Sequence, residues 1–376
     1  DAAAAYFSTA APWTTSGASW AAERLVADIV LRDAAAAPSA VVDAAAASCM
    51  ESYGLMRRAG EAVAACALRL FPAALRFVVL CGPGNNGGDG YVAAAALVRA
   101  GASTTVHHLG DPSALKGDAA RAYSAASLPS QPLSSYAPDP GDVIIDAVFG
   151  AGLARDVPQD MAELVARLTE ARLPVLAVDL PSGVDGMTGL VRGAALQATA
   201  TVTFMTRKPG HLLLPGRLLC GAIEVFDIGI PRRLVDAEAE RLFVNGPSLW
   251  QNHQVAPAAG DHKYRRGHLT VFSGGATATG AARLSAVAAL KAGAGLVTVA
   301  SPAGALPANA AHLTAIMLQE INGKADLESY LKDPRRTTFV LGPGFGDFAA
   351  ARTYALSLGA YGRAVVLDAD GITAFR

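Results

Sequence analysis

Short apolar runs alternate with helical segments through most of this 376-residue chain. Strands that read as continuous apolar runs and alternate with helices are typical of a parallel sheet covered on both faces. The predicted strands are 76–81, 104–109, 142–148, 174–179, 200–204, 223–227, 268–273, 296–300, 338–341 and 364–368. Helical spacing also predicts helices from about Val41 to Leu70 and from Tyr91 to Arg99. The pattern therefore predicts an α/β fold, a three-layer sandwich around a mainly parallel sheet.

The alternation is interrupted once, in the stretch NGPSLWQNHQVAPAAGDHKY, which contains Gly, Pro and polar residues but no periodicity. We expect four segments. They are a poorly ordered Ala-rich extension (1–38), a first domain (39–244), a linker (245–264) and a second domain (265–376). The second domain ends in mid-pattern, so we expect it to be incomplete.

Composition excludes several classes of partner. Lys and Arg number 31 and Asp and Glu 32, so the net charge of −1 provides no field that would attract nucleic acid or an anionic membrane. The Ala-rich runs are too short to span a bilayer, which takes about 20 apolar residues. The four cysteines have no CxxC spacing and are too sparse for a disulfide scaffold. We therefore predict a soluble, cytoplasmic protein.

In open parallel sheets, ligands bind beyond the carboxyl ends of the strands, so the loops that follow strands are the first candidates for a site. The first is GPGNNGGDG, residues 82–90, whose glycines satisfy the dinucleotide-binding spacing G-x-G-x-x-G, a weak signal alone. Asp89 does not suit a plain pyrophosphate cradle. With Asn85 and Asn86 it suits hydroxyl recognition or a hard cation, and the alternative is a helix cap made by the same side chains.

The second loop is DAVFGAGLARD, residues 146–156. Asp146 ends an apolar strand, where burial of its carboxylate is costly without a partner or a cation. Arg155 is suited to hold a phosphate, and the alternative is an ordinary solvated surface charge. This loop therefore offers one candidate metal ligand and one candidate anion ligand.

Two further loops follow strands. DLPSGVDG, residues 179–186, begins with Asp179 at the end of a strand. This position favours a general base, provided that the pocket raises the pKa of Asp179, equally with a turn-forming Asp before Pro. GPGFG, residues 342–346, is consistent with a nucleotide or substrate loop and equally with a tight packing turn.

In chain order, these motifs resemble two known domains. The resemblance to the NAD(P)H-hydrate epimerase domain covers about residues 40–235 and rests on GPGNNGGDG, DAVFGAGLARD, DLPSGVDGMTG, RKPGHLLLPG and DIGIP. The resemblance to the ribokinase-like NAD(P)H-hydrate dehydratase domain rests on HKYRRGHLTVFSGG, TGAARLSAVAALKAGAGLVTVASP, LGPGFG and VLDADG. It implies a Rossmann-like three-layer sandwich followed by a partial ribokinase-like α/β domain.

The resemblance also implies an activity, namely bifunctional repair of nicotinamide nucleotides. The substrate is NADH or NADPH hydrated on the nicotinamide ring (NADHX or NADPHX). The first domain interconverts its R and S epimers, and the second removes water from the S form with hydrolysis of ADP or ATP. Homo-oligomers are implied as well, and no nucleic-acid or membrane partner is expected.

Site residues follow from the same resemblance. Asp179 is implied as the acid/base residue at the hydrated ring. The implied substrate-binding residues are Asn85, Asn86, Gly87, Gly88, Asp89, Gly150, Ala151, Gly152, Leu153, Ala154, Arg155, Asp156, Asp179, Ala281 and Gly344. A potassium ion is implied at Asn86, Asp146 and Ser182, where its charge would offset nearby carboxylates.

The chain departs from the family pattern in two places. The HPGE-type loop and the late GTGD-type stretch of the dehydratase domain do not occur in this sequence. They hold the nucleotide and the catalytic Asp in the family, so we expect the dehydratase half to be inactive as it stands here. Ala151 replaces a usual Thr, a change that we expect to be tolerated.

Two other functions compete with this interpretation. An NAD-dependent oxidoreductase would use the G-x-G-x-x-G spacing and an acidic ribose ligand about 20 residues further on, where Asp111 lies. A non-catalytic module would use the same fold to hold a nucleotide or a protein partner.

Overall fold

The computed structural model describes residues 50–231, 233–235, 247 and 260–376. The expected extension, the start of the helix predicted from Val41 and most of the expected linker lie outside the described residues. Contacts divide the chain into two compact units, with a boundary between Val244 and Asn245. The described part of each unit contains one sheet, and every strand pair in both sheets is parallel.

The first unit is built on a seven-stranded sheet in the order β3-β2-β1-β4-β5-β6-β7. Its strands are β1 (Arg76–Cys81), β2 (Thr104–His108), β3 (Ser130–Pro132), β4 (Asp142–Ala147), β5 (Val175–Val178), β6 (Ala200–Phe204) and β7 (Ala222–Phe226). The order reverses direction between β1 and β4. A crevice opens at such a switch point, where the loops that follow the two strands diverge.

Helices cover both faces of this sheet. They are α1 (Ser52–Leu70), α2 (Asn85–Arg99), α3 (Gly117–Ala126), α4 (Gln159–Ala171) and the short α5 (Gly216–Leu219). Alternate residues of β1 enter opposite cores, because Val79 packs with α1, α2 and α3 whereas Val78 packs with α4. The Rossmann-like three-layer sandwich expected from the sequence is therefore confirmed.

The second unit has a five-stranded sheet in the order β10-β9-β8-β11-β12. Its strands are β8 (His268–Phe272), β9 (Leu296–Ser301), β10 (Met317–Glu320), β11 (Thr338–Leu341) and β12 (Ala364–Leu367). Its helices are α6 (Gly280–Lys291), α7 (Leu306–Ala310), α8 (Lys324–Leu331), α9 (Phe348–Ala360) and α10 (Asp370–Thr373). One core includes residues of α6 and another includes residues of α8 and α9. This unit is also α/β.

All predicted strands are present, and each end lies within one residue of its predicted position. Two strands were not predicted, β3 and β10, which form sheet edges and lack an apolar run. Within the described ranges, no helix combines the length and apolar character needed to cross a membrane.

Candidate active site

A cavity of about 830 Å³ opens at the carboxyl edge of the first sheet. Its walls come from the loops after β1, β4, β5, β6 and β7 and from the first turns of α1. Leu55 and Met56 of α1, with Ile228 and Ile230 beyond β7, contribute apolar side chains. The cavity thus lies where a doubly wound sheet binds its ligands.

The polar wall begins with α2. This helix starts at Asn85 and not at Tyr91 as the sequence predicted, so NNGGDG forms its first turns. Gly84 is the N-cap residue, which argues against a capping role for Asn85 and Asn86. Both Asn side chains line the cavity together with Asp89. An early helical turn presents free backbone N–H groups, an arrangement that suits an anion.

The amide nitrogen of Asn86 is buried and has no hydrogen-bond partner among the described residues. A buried amide without a partner is costly, so this side chain is expected to meet a ligand. Gly150 lies beside it, since a Cβ added there would be 3.0 Å from Asn86 Oδ1 and 2.9 Å from Asp179 Oδ2. The glycine therefore leaves room between the two polar side chains.

Gly87 and Gly88 are buried and are not among the residues that line the cavity. A Cβ on Gly87 would lie 2.0 Å from the carbonyl oxygen of Gly82, and one on Gly88 would lie 2.6 Å from Met56 Sδ. A Cβ on Gly82 would in turn lie 1.9 Å from the carbonyl oxygen of Val148. These glycines allow the loops after β1 and β4 and the neighbouring helices to pack closely.

The loop after β4 supplies the opposite wall. Residues 150–155 all line the cavity, with Arg155 exposed at its mouth, whereas the exposed Asp156 is not part of the lining. The structure thus brings most of the implied substrate-binding residues of the first unit together, apart from Gly87, Gly88 and Asp156.

Asp146 and Ser182 form a buried pair beneath this loop. Ser182 donates to the Asp146 carboxylate from its backbone N–H (2.7 Å) and from its hydroxyl (2.6 Å). The Ser182 hydroxyl oxygen also accepts a hydrogen bond from the Phe149 N–H at 2.8 Å. Burial raises the pKa of Asp146 to about 6, although these hydrogen bonds favour its ionised form. The pair therefore concentrates oxygen atoms and negative charge behind the cavity.

Asp179 follows β5 directly and lines the cavity, so the structure places this carboxylate as the sequence predicted. Its Oδ1 lies 2.6 Å from Lys208 Nζ and accepts a hydrogen bond from the Thr203 hydroxyl at 3.0 Å. Its Oδ2 accepts the Ala151 N–H at 2.9 Å. Oδ1 thus has two donors and Oδ2 has one, which leaves acceptor capacity at Oδ2.

Lys208 is almost completely buried and also lines the cavity. Burial by itself raises the pKa of Asp179, but the Lys208 ammonium group and the hydrogen bonds outweigh it and bring that pKa to about 2. The carboxylate is therefore ionised at neutral pH. An ionised carboxylate accepts protons and cannot donate one.

The His211 ring contacts the backbones of both Asp179 and Lys208. Its Nδ1 accepts the Lys208 N–H at 2.8 Å and its Nε2 lies 2.7 Å from the Asp179 carbonyl oxygen. Sequence reasoning missed Lys208, Thr203 and His211. A signal was available, because RKPGH follows the predicted strand 200–204, just as the four candidate loops follow their strands.

In the second unit, the loops after β8 and β11 meet at the carboxyl edge of the sheet. A Cβ on Gly274 would lie 1.9 Å from the Gly344 carbonyl oxygen, and one on Gly344 would lie 3.7 Å from Ala281 Cβ. The two positions implied as substrate contacts, Ala281 and Gly344, are therefore neighbours. Gly344 has φ +65°, a backbone conformation that favours glycine.

Fold and site define a doubly wound α/β protein with a partly buried, ion-paired carboxylate in a cavity at the topological switch point. Residues 52–210 match the family described as YjeF-related protein N-terminus, and residues 269–376 match the family described as NAD(P)H-hydrate dehydratase.

Two curated relatives span both units. The bifunctional NAD(P)H-hydrate repair enzyme Nnr of Coxiella burnetii is 35% identical over 332 residues, which cover 86% of this chain and 66% of that protein. The same-named protein of Vibrio cholerae is 33% identical over 349 residues, which cover 88% and 67%. The crystal structure of a yeast protein matches at 23% identity with a TM-score of 0.42, covering 50% of this chain and 85% of that one.

The chain belongs to the family of bifunctional NAD(P)H-hydrate repair enzymes. It spans about two thirds of the length of the two curated relatives described above.

Proposed function

We propose that the first unit interconverts the R and S epimers of hydrated NADH or NADPH. The second unit belongs to the part of the protein that removes water from the S epimer with hydrolysis of ADP or ATP. The observation that carries the proposal is the Asp179 carboxylate, which is ionised, ion-paired with Lys208 and placed in the wall of the cavity.

Epimerisation inverts the carbon atom that bears the added hydroxyl group. The proton of that hydroxyl group is removed as the bond from the carbon to the ring nitrogen breaks and leaves its electron pair on the nitrogen. The nitrogen then adds to the opposite face of the resulting carbonyl group, and the oxygen regains the proton. Asp179 is the proton acceptor, and Oδ2 is the atom that receives the proton because Oδ1 already accepts from Lys208 and Thr203. Lys208 keeps the carboxylate ionised and fixed, so it is free to accept a proton at neutral pH. The pocket lowers the pKa of Asp179 and does not raise it as the sequence analysis required, so the carboxylate is a weaker base than expected.

The other walls of the cavity suit the rest of the substrate. The first turn of α2 and Arg155 provide N–H donors and positive charge for phosphate groups. Asn85 and Asp89 provide polar atoms for sugar hydroxyls, and the apolar side chains of α1 provide a surface for a ring.

We also propose that Asn86, Asp146 and Ser182 hold a potassium ion, as the family resemblance implies. The unpaired buried amide of Asn86 supports this, because an amide turned by 180° presents its oxygen atom in place of its nitrogen. The Asp146 carboxylate and the Ser182 hydroxyl supply two further oxygen ligands. The ion would supply positive charge next to the buried carboxylate of Asp146.

We also propose a cytoplasmic location and a homo-oligomeric assembly. The location is supported by Cys66, Cys81 and Cys220, which are buried and free as expected in a reducing compartment. The assembly rests on family membership alone.

The oxidoreductase alternative is not supported. Asp111, its candidate ribose ligand, is exposed, and its carboxylate accepts hydrogen bonds from the backbone N–H and the hydroxyl of Ser113. It caps a short 3₁₀ turn and is not among the residues that line the cavity.

The Asp179→Asn substitution separates an enzyme from a non-catalytic binding module. We expect the purified variant to bind NADPH hydrate within about fivefold of the unchanged chain by calorimetry and to lose R/S interconversion. A variant that still interconverts the epimers at the full rate excludes Asp179 as the proton acceptor. An unchanged chain that binds the hydrate without interconverting it is a binding module.

A further inference from the structure

The imidazole ring of His211 is buried between the two residues of the proposed acid/base pair. Its Nδ1 lies 2.8 Å from the backbone nitrogen of Lys208, and its Nε2 lies 2.7 Å from the backbone oxygen of Asp179. The residue is 1% exposed and is not among those that line the cavity. It therefore touches both members of the pair without being placed to touch the substrate.

The two contacts define a single protonation state of the ring. A backbone N–H always donates, so Nδ1 must be unprotonated and accept. A carbonyl oxygen always accepts, so Nε2 must carry the proton and donate. Burial and then the nearby Lys208 ammonium lower the pKa of His211 to about 4, Arg207 acts in the same direction, and Asp179 opposes the shift. The ring is thus neutral at pH 7.

Both residues that His211 contacts lie beyond the ends of their strands. Asp179 follows β5 and has φ +67°, in the left-handed region that non-glycine residues rarely adopt. Its N–H donates to the Val202 carbonyl oxygen at 2.7 Å, which leaves its carbonyl group to be fixed by His211. Lys208 follows β6 and precedes the 3₁₀ turn Pro209–His211.

We propose that His211 is a positioning residue, which fixes the backbones of Asp179 and Lys208 so that their side chains form the ion pair of the active site. The inference rests on the proposed function of that pair. The ring contacts the Asp179 carbonyl oxygen and the Lys208 N–H, and it thereby fixes the backbone of Asp179, whose φ is strained. A displacement of reacting groups by about 1 Å can reduce a rate about a hundredfold.

Two substitutions test the contacts separately. His211→Gln retains a donor near the position of Nε2, and His211→Asn retains an acceptor near the position of Nδ1. The control is His107→Asn, because His107 is also buried in the first unit but contacts the Pro132 carbonyl oxygen away from the cavity. Circular dichroism and thermal melting establish that each variant folds.

We expect kcat for R/S interconversion to fall about tenfold or more in both His211 variants, with KM changed by less than about threefold. We also expect the acid limb of the kcat/KM profile to move to higher pH, because a displaced Lys208 no longer holds the pKa of Asp179 low. The His107 variant should keep the rate and the profile of the unchanged chain. Folded His211 variants with rates within about twofold and an unmoved acid limb overturn the proposal.

A second measurement needs no substitution. Nitrogen-15 NMR of histidine-labelled protein should show His211 at pH 7 with an unprotonated Nδ1 and a protonated Nε2. A cationic ring or the opposite tautomer overturns the proposal even where the variants do not fold. If the unchanged chain fails to interconvert the epimers, the proposed function fails, while the NMR spectrum still tests whether His211 makes both contacts.

Discussion

Lys208 Nζ lies 2.6 Å from Asp179 Oδ1, and the Lys208 side chain is only 4% exposed. The two residues follow β5 and β6, which are neighbours in the sheet, so their ion pair depends on strand pairing between segments 29 positions apart. Removal of one partner from such a pair leaves a buried charge without compensation. The pair therefore contributes to the stability of the first unit as well as to the chemistry proposed for it.

Asp179→Asn should reveal this contribution as a pH-dependent loss of stability. The pKa of Asp179 is lowered from 3.8 to about 2 in the folded protein, so its stabilising effect is complete well above pH 4 and is lost as the pH falls towards 2. We expect the substitution to lower the free energy of unfolding by about 3 kcal/mol at pH 7. Urea titrations at several pH values measure this difference, and a difference that grows as the pH falls contradicts the account.

Lys208→Met should raise the pKa of Asp179. Without the ammonium group, burial dominates and favours the protonated acid, which cannot accept a proton. We expect the acid limb of kcat/KM to move from about pH 2 to above the ordinary value of 3.8. The pH profile of interconversion measures the shift, with the exposed Lys116→Met as a control. An unmoved acid limb would show that Lys208 does not set the ionisation of Asp179.

Gly150→Ala should impair the site while the fold persists. The new methyl group would lie 2.9 Å from Asp179 Oδ2 and 3.0 Å from Asn86 Oδ1, so at least one of these side chains must move. We expect kcat/KM to fall about tenfold or more. Gly304→Ala is the control, because a Cβ there has no neighbour within 4 Å and the residue is not among those that line the cavity. Equal activities of the two variants would contradict the proposed position of the reacting groups.

Gly82→Ala should destabilise the first unit. Its Cβ would lie 1.9 Å from the Val148 carbonyl oxygen, at the contact between the loops that follow β1 and β4. We expect a loss of about 3 kcal/mol in the free energy of unfolding, in the upper range for overpacking. Gly84→Ala, where a Cβ has open space, should change that free energy by less than about 1 kcal/mol. Chemical denaturation of both variants provides the comparison.

The parts of the fold that the sequence predicts best are the buried parallel strands. β1 and β4 are almost wholly buried, so residues 77–81 and 143–145 within them read as apolar runs. Asp146 directly follows the apolar run of β4, and Asp179 directly follows β5. Their positions at the same edge of the sheet were therefore predictable. The edge strands β3 and β10 carry no such signal because their residues are mostly exposed.

The predicted start of α2, at Tyr91 and not at Asn85, was wrong for a different reason. Asn and Gly are poor helix formers, so NNGGDG has the composition of a loop. The helix begins there because contacts with the rest of the unit override local propensity, as the close approach of Gly87 to the Gly82 carbonyl group illustrates. Such contacts are formed between segments and do not appear in any short window of sequence.

Lys208 and His211 could not be placed from spacing alone. Both lie in RKPGH, which has neither a glycine-rich pattern nor a metal-ligand pattern. Their significance depends on the register of β5 against β6, which brings the residues after the two strands together. The order of strands in a sheet is a property of the folded chain, and the motifs do not encode it directly.

The most direct test of the account is the time course of the R/S ratio when the purified chain is given pure R-NADPH hydrate, with and without potassium ions. We predict equilibration much faster than the spontaneous rate, faster with potassium, and abolished by Asp179→Asn. If the R/S ratio changes only at the spontaneous rate in the presence of the folded chain, with and without potassium ions, the proposal that this cavity is an epimerase site is contradicted.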